Sequence, residues 1–169
     1  MAVREILLLG NPKLYQVCEP VSRDQMEELM PVVTDLRDTL LDFRAHWGAG
    51  RAIAAPQIGV MKRIVYMEID EPQVLINPML GNESAETIEL WDDCMSFPEL
   101  FVYVRRHARC DIAFRDLDWQ EQTWALEGDL SELLQHECDH LDGVLAVARA
   151  VDGRSFALRS QRLLVDEDE

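Results

Sequence analysis

Positive charge is what this chain has least of. Its 16 Lys and Arg stand against 32 Asp and Glu, a formal net charge of −16. Phosphate backbones are bound by basic surfaces, so no direct nucleic-acid binding is expected. The excess favours solubility and says little about fold. Part of it lies in Asp166-Glu167-Asp168-Glu169, read as a solvated acidic tail on a single domain spanning residues 1–165. Long apolar runs are missing too. Ile6-Leu7-Leu8-Leu9 is too short for a signal peptide and far too short to span a bilayer. No membrane association and a cytoplasmic location are therefore expected. Cysteine is scarce: Cys18, Cys94, Cys110 and Cys138. A chain of this length builds a core without staples, so these read as free thiols or metal ligands rather than disulfides. Repeats and low-complexity stretches are absent.

What is present is ordinary globular material, 48% hydrophobic and 28% charged, which excludes a disordered chain. Residues 1–22 look irregular, with a turn at Gly10-Asn11-Pro12. Ser22 and Gln25 offer a capping box for a helix running to about residue 46, with Met26, Leu29, Met30, Val33, Leu36, Leu40 and Phe43 at helical spacing. Pro31 lies inside it and marks either a kink or the first turn. Residues 54–59 are too rich in Pro and Gly for a regular element. Short strands are expected at 63–69, 74–79, 87–90, 101–106, 110–116 and 123–126. A helix then opens at Gly128-Asp129 and closes at Gly143. Residues 144–164 read equally as strand or helix. The fold class is α+β: antiparallel strands packed around a central helix that bears an HExxH motif.

That motif is His136-Glu137-Cys138-Asp139-His140. Four helical steps leave the histidines about 40° apart and one turn along, so both imidazoles can reach one metal ion. Glu137 sits on a neighbouring face, within reach of a water at the metal without being a ligand. The alternative is a charged helix with exposed histidines. Against it, Leu133, Leu134, Leu141 and Val144 flank the motif and imply a buried helix, where such charge needs partners or a metal. A catalytic site needs a third ligand and an open position. Cys94, in Trp91-Asp92-Asp93-Cys94-Met95-Ser96, is the leading candidate, and a thiolate with two imidazoles suits Zn2+ or Fe2+. Cys18 and Cys110 read as small buried hydrophobes. Cys138 points away from both histidines.

Three separated segments, in order, resemble the motifs of the peptide deformylases. Gly50-Arg51-Ala52-Ile53-Ala54-Ala55-Pro56-Gln57 resembles G-x-G-x-A-A-P-Q. Asp92-Asp93-Cys94-Met95-Ser96 resembles E-G-C-L-S, and Gln135-His136-Glu137-Cys138-Asp139-His140 resembles Q-H-E-x-D-H. The similarity runs from about Ile6 to Ala148. It implies removal of the formyl group from the formyl-methionine of new polypeptides, releasing formate, with transient ribosome association as a further implication. It implies one divalent ion on Cys94, His136 and His140: Fe2+ in the cell, with Zn2+, Ni2+ or Co2+ as alternatives. Glu137 would move the protons. Gln57 and the backbone N–H of Met95 would join the metal in holding the oxyanion. Gly50, Arg51, Ala52 and Ile53 would line the substrate groove, and Asp92, Arg106 and Asp139 would support the site.

Four positions depart from the pattern. Asp92 stands for Glu, Asp93 for Gly, Met95 for Leu and Ala52 for the second Gly of the first motif. Asp92 is expected to pair with Arg106. Asp93 is expected to point outward or to pair with a cation such as Arg51 or Arg106. Two other readings compete. A zincin-like metallopeptidase shares the helix motif but takes a downstream His or Glu as third ligand, and no histidine follows His140. A deformylase relative that binds metal without activity is the other.

Overall fold

The computed structural model describes residues 2–165; the acidic tail at 166–169 lies outside the described residues. Eight strands form two antiparallel sheets. The larger has the order β1-β2-β3-β6-β7: β1 (Ala52–Ala54), β2 (Ile64–Glu68), β3 (Pro72–Gly81), β6 (Arg109–Arg115) and β7 (Glu121–Glu127). The smaller has the order β4-β5-β8: β4 (Thr87–Asp93), β5 (Leu100–His107) and β8 (Phe156–Leu158). All strand pairs in both sheets are antiparallel.

The period-2 alternation of a strand decides which helix covers which face. On β1 and β2, Ile53, Ile64 and Tyr66 join a core with Leu29, Val33, Leu36, Leu40 and Phe43 of α1 (Met26–Trp47). Ala52, Ala54, Val65 and Met67 turn the other way and meet Leu133, Leu134, Cys138 and Leu141 of α2 (Gly128–Leu141). The larger sheet is thus held between two helices. The opposite side of α2 contacts β5 of the smaller sheet. Every residue of α2 from Ser131 to Leu141 is buried, so the helix is central as expected. Leu134 and Leu141 are fully buried, each worth about 2–3 kcal/mol by area.

Helix α1 begins at Met26, behind a 3-10 turn at Arg23–Gln25 in which the Gln25 side chain accepts from Ser22 N–H at 3.1 Å. Pro31 therefore sits inside the helix rather than at its start; it is exposed, so the carbonyl its ring leaves unpaired lies on the solvent face. Met30 is exposed rather than core. Gly48, with φ 67°, ends the helix in the left-handed conformation.

Residues 54–59 correct the expectation of no regular element: strand β1 runs straight into a 3-10 turn at Ala55–Ile58. The segment 144–164 is neither one strand nor one helix. It holds a 3-10 turn at Ala146–Arg149, strand β8, a second 3-10 turn and the short helix α3 (Arg162–Val165). Among the described residues, no helix is long and apolar enough to cross a membrane.

Candidate metal centre and pocket

Helix α2 presents His136 and His140 one turn apart, their ring centroids 4.9 Å apart. Cys94 follows directly after β4, and its Sγ lies 3.2 Å from His140 Nε2. Ligand atoms of Cys94, His136 and His140 all lie within 4.8 Å of one another, and all three residues are buried. Cys94 and His140 are 46 positions apart in the chain, and the antiparallel sheet and the helix bring the three expected ligands together.

The surrounding groups orient the imidazoles. His136 Nδ1 donates to Asp92 Oδ2 at 2.8 Å, which turns Nε2 toward Cys94. Burial pulls this imidazole down, but Asp92 and Cys94 outweigh burial and hold it well above its ordinary pKa. Burial, then His136, hold His140 well below. Asp92 also accepts from Arg106 Nη2 at 3.3 Å, as expected. Arg106 Nη1 donates to Asp139 at 2.5 Å, and Asp139 in turn binds Arg149 at 2.8 and 3.0 Å. Asp139 and Arg106 thus stand one step behind His136, linked to it through Asp92.

Two buried atoms of the motif helix stand without a partner. Glu137 Oε2 and His140 Nδ1 have no hydrogen-bond partner among the described residues. A buried carboxylate oxygen without a partner is costly unless something polar meets it. Burial raises the Glu137 carboxyl to about 7. An open-sided S/N/N donor set next to such an oxygen fits a divalent metal with a water at its free position. A second group, Asp92, Glu132 and His136, also lies within 4.8 Å. Its carboxylates are already taken by Arg106 and Arg51, so it makes a hydrogen-bond network.

A pocket of about 310 Å³ opens beside this cluster. Gly50, Arg51, Ala52, Gln57, Met95 and Glu137 line it, as do Phe43, Glu132 and Leu133. Ile53 is a correction: its side chain is fully buried in the core against α1, because alternation along β1 turns it away from the pocket. The Gln57 side chain is clamped. Its Oε1 accepts from Ala54 N–H at 2.9 Å, which aims Nε2 at Ser96 Oγ (3.1 Å) and Cys94 Sγ (3.6 Å).

Asp93 is half-exposed and its nearest cation is Arg159, at 3.8 Å. Asp93 lines the pocket beside Cys94 as well, so it does not point away from the site, and its partner is neither Arg51 nor Arg106. Arg51 pairs with Glu132 instead, at 3.0 Å. Glu132 was missed from sequence, although it lies four residues before His136 and so on the same helix face. Arg149 and Arg159 were missed too; they fall in the stretch without clear periodicity. All four cysteines are free and buried, and burial raises the thiols of Cys18 (to about 11), Cys110 and Cys138, in keeping with inert packing roles.

A buried thiol, two imidazoles one helical turn apart and an unpartnered carboxylate beside a pocket are the parts of a hydrolytic metal centre. A model of the polypeptide deformylase family matches residues 3–155, and the chain belongs to that family. Peptide deformylase 1 of Prochlorococcus marinus (strain MIT 9313) is 40% identical, over 95% of this chain and 88% of its own length. A protein named peptide deformylase-like, from Brucella melitensis, is 38% identical over 97% of this chain and 95% of its own. The crystal structure of peptide deformylase from Thermotoga maritima superposes with a TM-score of 0.82 at 29% identity, covering 90% of this chain and 100% of that one. The family is metal-dependent and acts on formyl-Met nascent peptides.

Proposed function

We propose that this chain hydrolyses the N-terminal formamide of formyl-methionyl polypeptides and releases formate. The observation that carries the reading is the buried, unpartnered Glu137 carboxylate next to the Cys94–His136–His140 cluster, at the wall of the pocket. Cys94, His136 and His140 would hold one divalent ion, Fe2+ in the cell. When bound, such an ion lowers the pKa of water toward about 7 and polarises the carbonyl. The rest is done by side chains. Glu137 takes a proton from the attacking water and returns it to the leaving amine, a task suited to a group that titrates near 7. Gln57, its amide fixed by Ala54, and the Met95 N–H donate to the oxyanion; such donors are worth about 3 kcal/mol each in comparable sites. Asp92 fixes His136, and Arg106 and Asp139 hold Asp92 in place. Residues 1–165 act as one catalytic unit, working in the cytoplasm on chains leaving the ribosome.

The test is formate release from a formyl-Met peptide by metal-loaded protein, run beside cleavage of an internal bond in an unformylated peptide. Formate alone is the expected result. Internal cleavage would support the zincin-like reading, and neither product would support a relative that binds metal without activity. Asp93 takes no part in the ligand cluster and has Arg159 beside it to offset its charge, which argues for activity.

A further inference from the structure

Arg159 lies beyond residues 3–155, the stretch that matches the family, yet its side chain reaches the elements around the pocket. Its backbone is fixed on the smaller sheet. Leu158, just before it, pairs with Leu100 of β5, and Arg159 N–H donates to Glu99 O at 2.8 Å. The guanidinium carbon lies 4.9 Å from the centroid of the Phe101 ring and 5.3 Å from that of Trp47. Nε donates to Pro98 O at 2.8 Å, and Nη2 lies 3.8 Å from Asp93. Phe101 is the cross-strand partner of Asp93. Trp47 is the last residue of α1 and stacks on Phe43 with ring centroids 5.8 Å apart. Asp93 and Phe43 both line the pocket. One cation between two aromatic rings thus joins the smaller sheet to the end of α1, the helix packed on the larger sheet.

We propose that Arg159 is a positioning residue for substrate binding. By clamping Trp47 to Phe101 it sets the spacing of Phe43 and Asp93, and so the fit of the pocket around formyl-methionine. None of its contacts named above is with Cys94, His136, His140 or Glu137. The metal and the proton transfer therefore do not depend on it. Losing the clamp removes an interaction that serves substrate and transition state alike, which raises KM and leaves kcat near native. The proposal rests on the reading of this pocket as the formyl-peptide site.

The probe is formyl-Met-Ala-Ser. Arg159→Met keeps the length of the side chain and loses the cation; Trp47→Leu removes the ring that it grips on α1. In metal-loaded protein each should raise KM by at least about fivefold, with kcat within about twofold of native and full metal content by elemental analysis. Calorimetric titration of nickel-loaded Glu137→Gln protein carrying the same changes should show the same loss of affinity. The double variant should be within about twofold of the worse single one, because both changes cut one link. Native affinity in Arg159→Met, a fall confined to kcat, loss of metal, or losses that add in the double variant overturns the proposal. A lower melting temperature with native KM does so too, since it would make Arg159 a stability residue alone. If Arg159→Met fails to fold, Arg159→Lys and Trp47→Leu decide by the same measures; lysine keeps the charge without the flat face, and a native KM in either overturns the proposal. Native protein that neither binds the peptide nor releases formate sinks the deformylase reading and the proposal with it. Native activity with unaltered affinity in the variants sinks the proposal alone.

Discussion

Asp92 and Glu137 are both buried carboxylates, and their neighbours divide the work between them. Burial pushes Asp92 up, but His136 and Arg106 outweigh it and keep it below the usual range, a fixed anion. Glu137 has no bonded cation, and burial leaves it titrating at about 7. Two substitutions separate these roles. Glu137→Gln keeps the shape and cannot accept a proton. It should retain full metal content by elemental analysis and lose about a hundredfold or more in kcat/KM. An active variant would remove Glu137 from the chemistry. Asp92→Asn should instead weaken metal affinity by about 10–100-fold, because the carboxylate that fixes the His136 tautomer is gone. Competition with a chromophoric chelator reads it, and unchanged affinity would make Asp92 a packing residue only. Asp93 is a third case. Its pairing with Arg159 is long and solvent-exposed, worth about 0–1 kcal/mol, so Asp93→Gly should change kcat/KM by less than about fivefold. A large gain in rate would show that its charge reaches the oxyanion after all.

At the scale of elements, helix α2 depends on how it ends. Gly143 adopts φ 74°, and a Cβ there would stand 2.6 Å from the Tyr15 carbonyl oxygen. The N-terminal segment thus closes directly over the helix terminus, and Cys18 N–H donates to Leu141 O at 2.9 Å in the same contact. Gly143→Ala meets both a left-handed backbone, about 1–2 kcal/mol, and a backbone clash. A loss of about 2 kcal/mol or more is expected, seen as a melting temperature lower by at least about 4 °C. An unchanged melt would mean that the segment 10–16 moves aside freely. The elements themselves were legible where one period dominates. All six expected strands exist, the helix ending at Gly143 is right, and α1 follows its apolar spacing. Strand β1 was hidden because it is three residues long and buried on both faces, so nothing alternates between apolar and polar. The segment after α2 was unreadable because its 3-10 turns and short strand are held by contacts distant in sequence, such as β8 on β5 and Arg159 against Trp47 and Phe101. At the site, the ligand triad and Glu137 were visible as motifs, while the Arg51–Glu132 pair, 81 residues apart, needed the fold.

For the whole molecule, the candidate ligands come from two different layers. Cys94 extends from β4 of the smaller sheet, whereas His136 and His140 belong to the helix packed on the larger one. A bound ion would therefore act as a cross-link between the layers as well as a reagent. The site also gathers groups that a bound ion would satisfy. A thiol and two imidazoles are buried together, with Glu137 Oε2 and His140 Nδ1 unpartnered. Ligands that bind only the native state stabilise it by mass action, about 4 kcal/mol at a thousand times Kd. For a domain of this size that corresponds to roughly 8–16 °C in melting temperature. Removing the metal with a strong chelator should lower the melt by that order, and restoring Zn2+ or Ni2+ should recover it. Cys94→Ala protein should melt at one temperature whether or not metal is added, because two imidazoles alone leave the ion under-coordinated. Calorimetric melts of both proteins, with and without chelator, make the comparison. A native protein indifferent to the chelator while elemental analysis shows its metal gone would mean that the ion bridges nothing. A Cys94→Ala protein that still gains stability from metal would move the third ligand elsewhere.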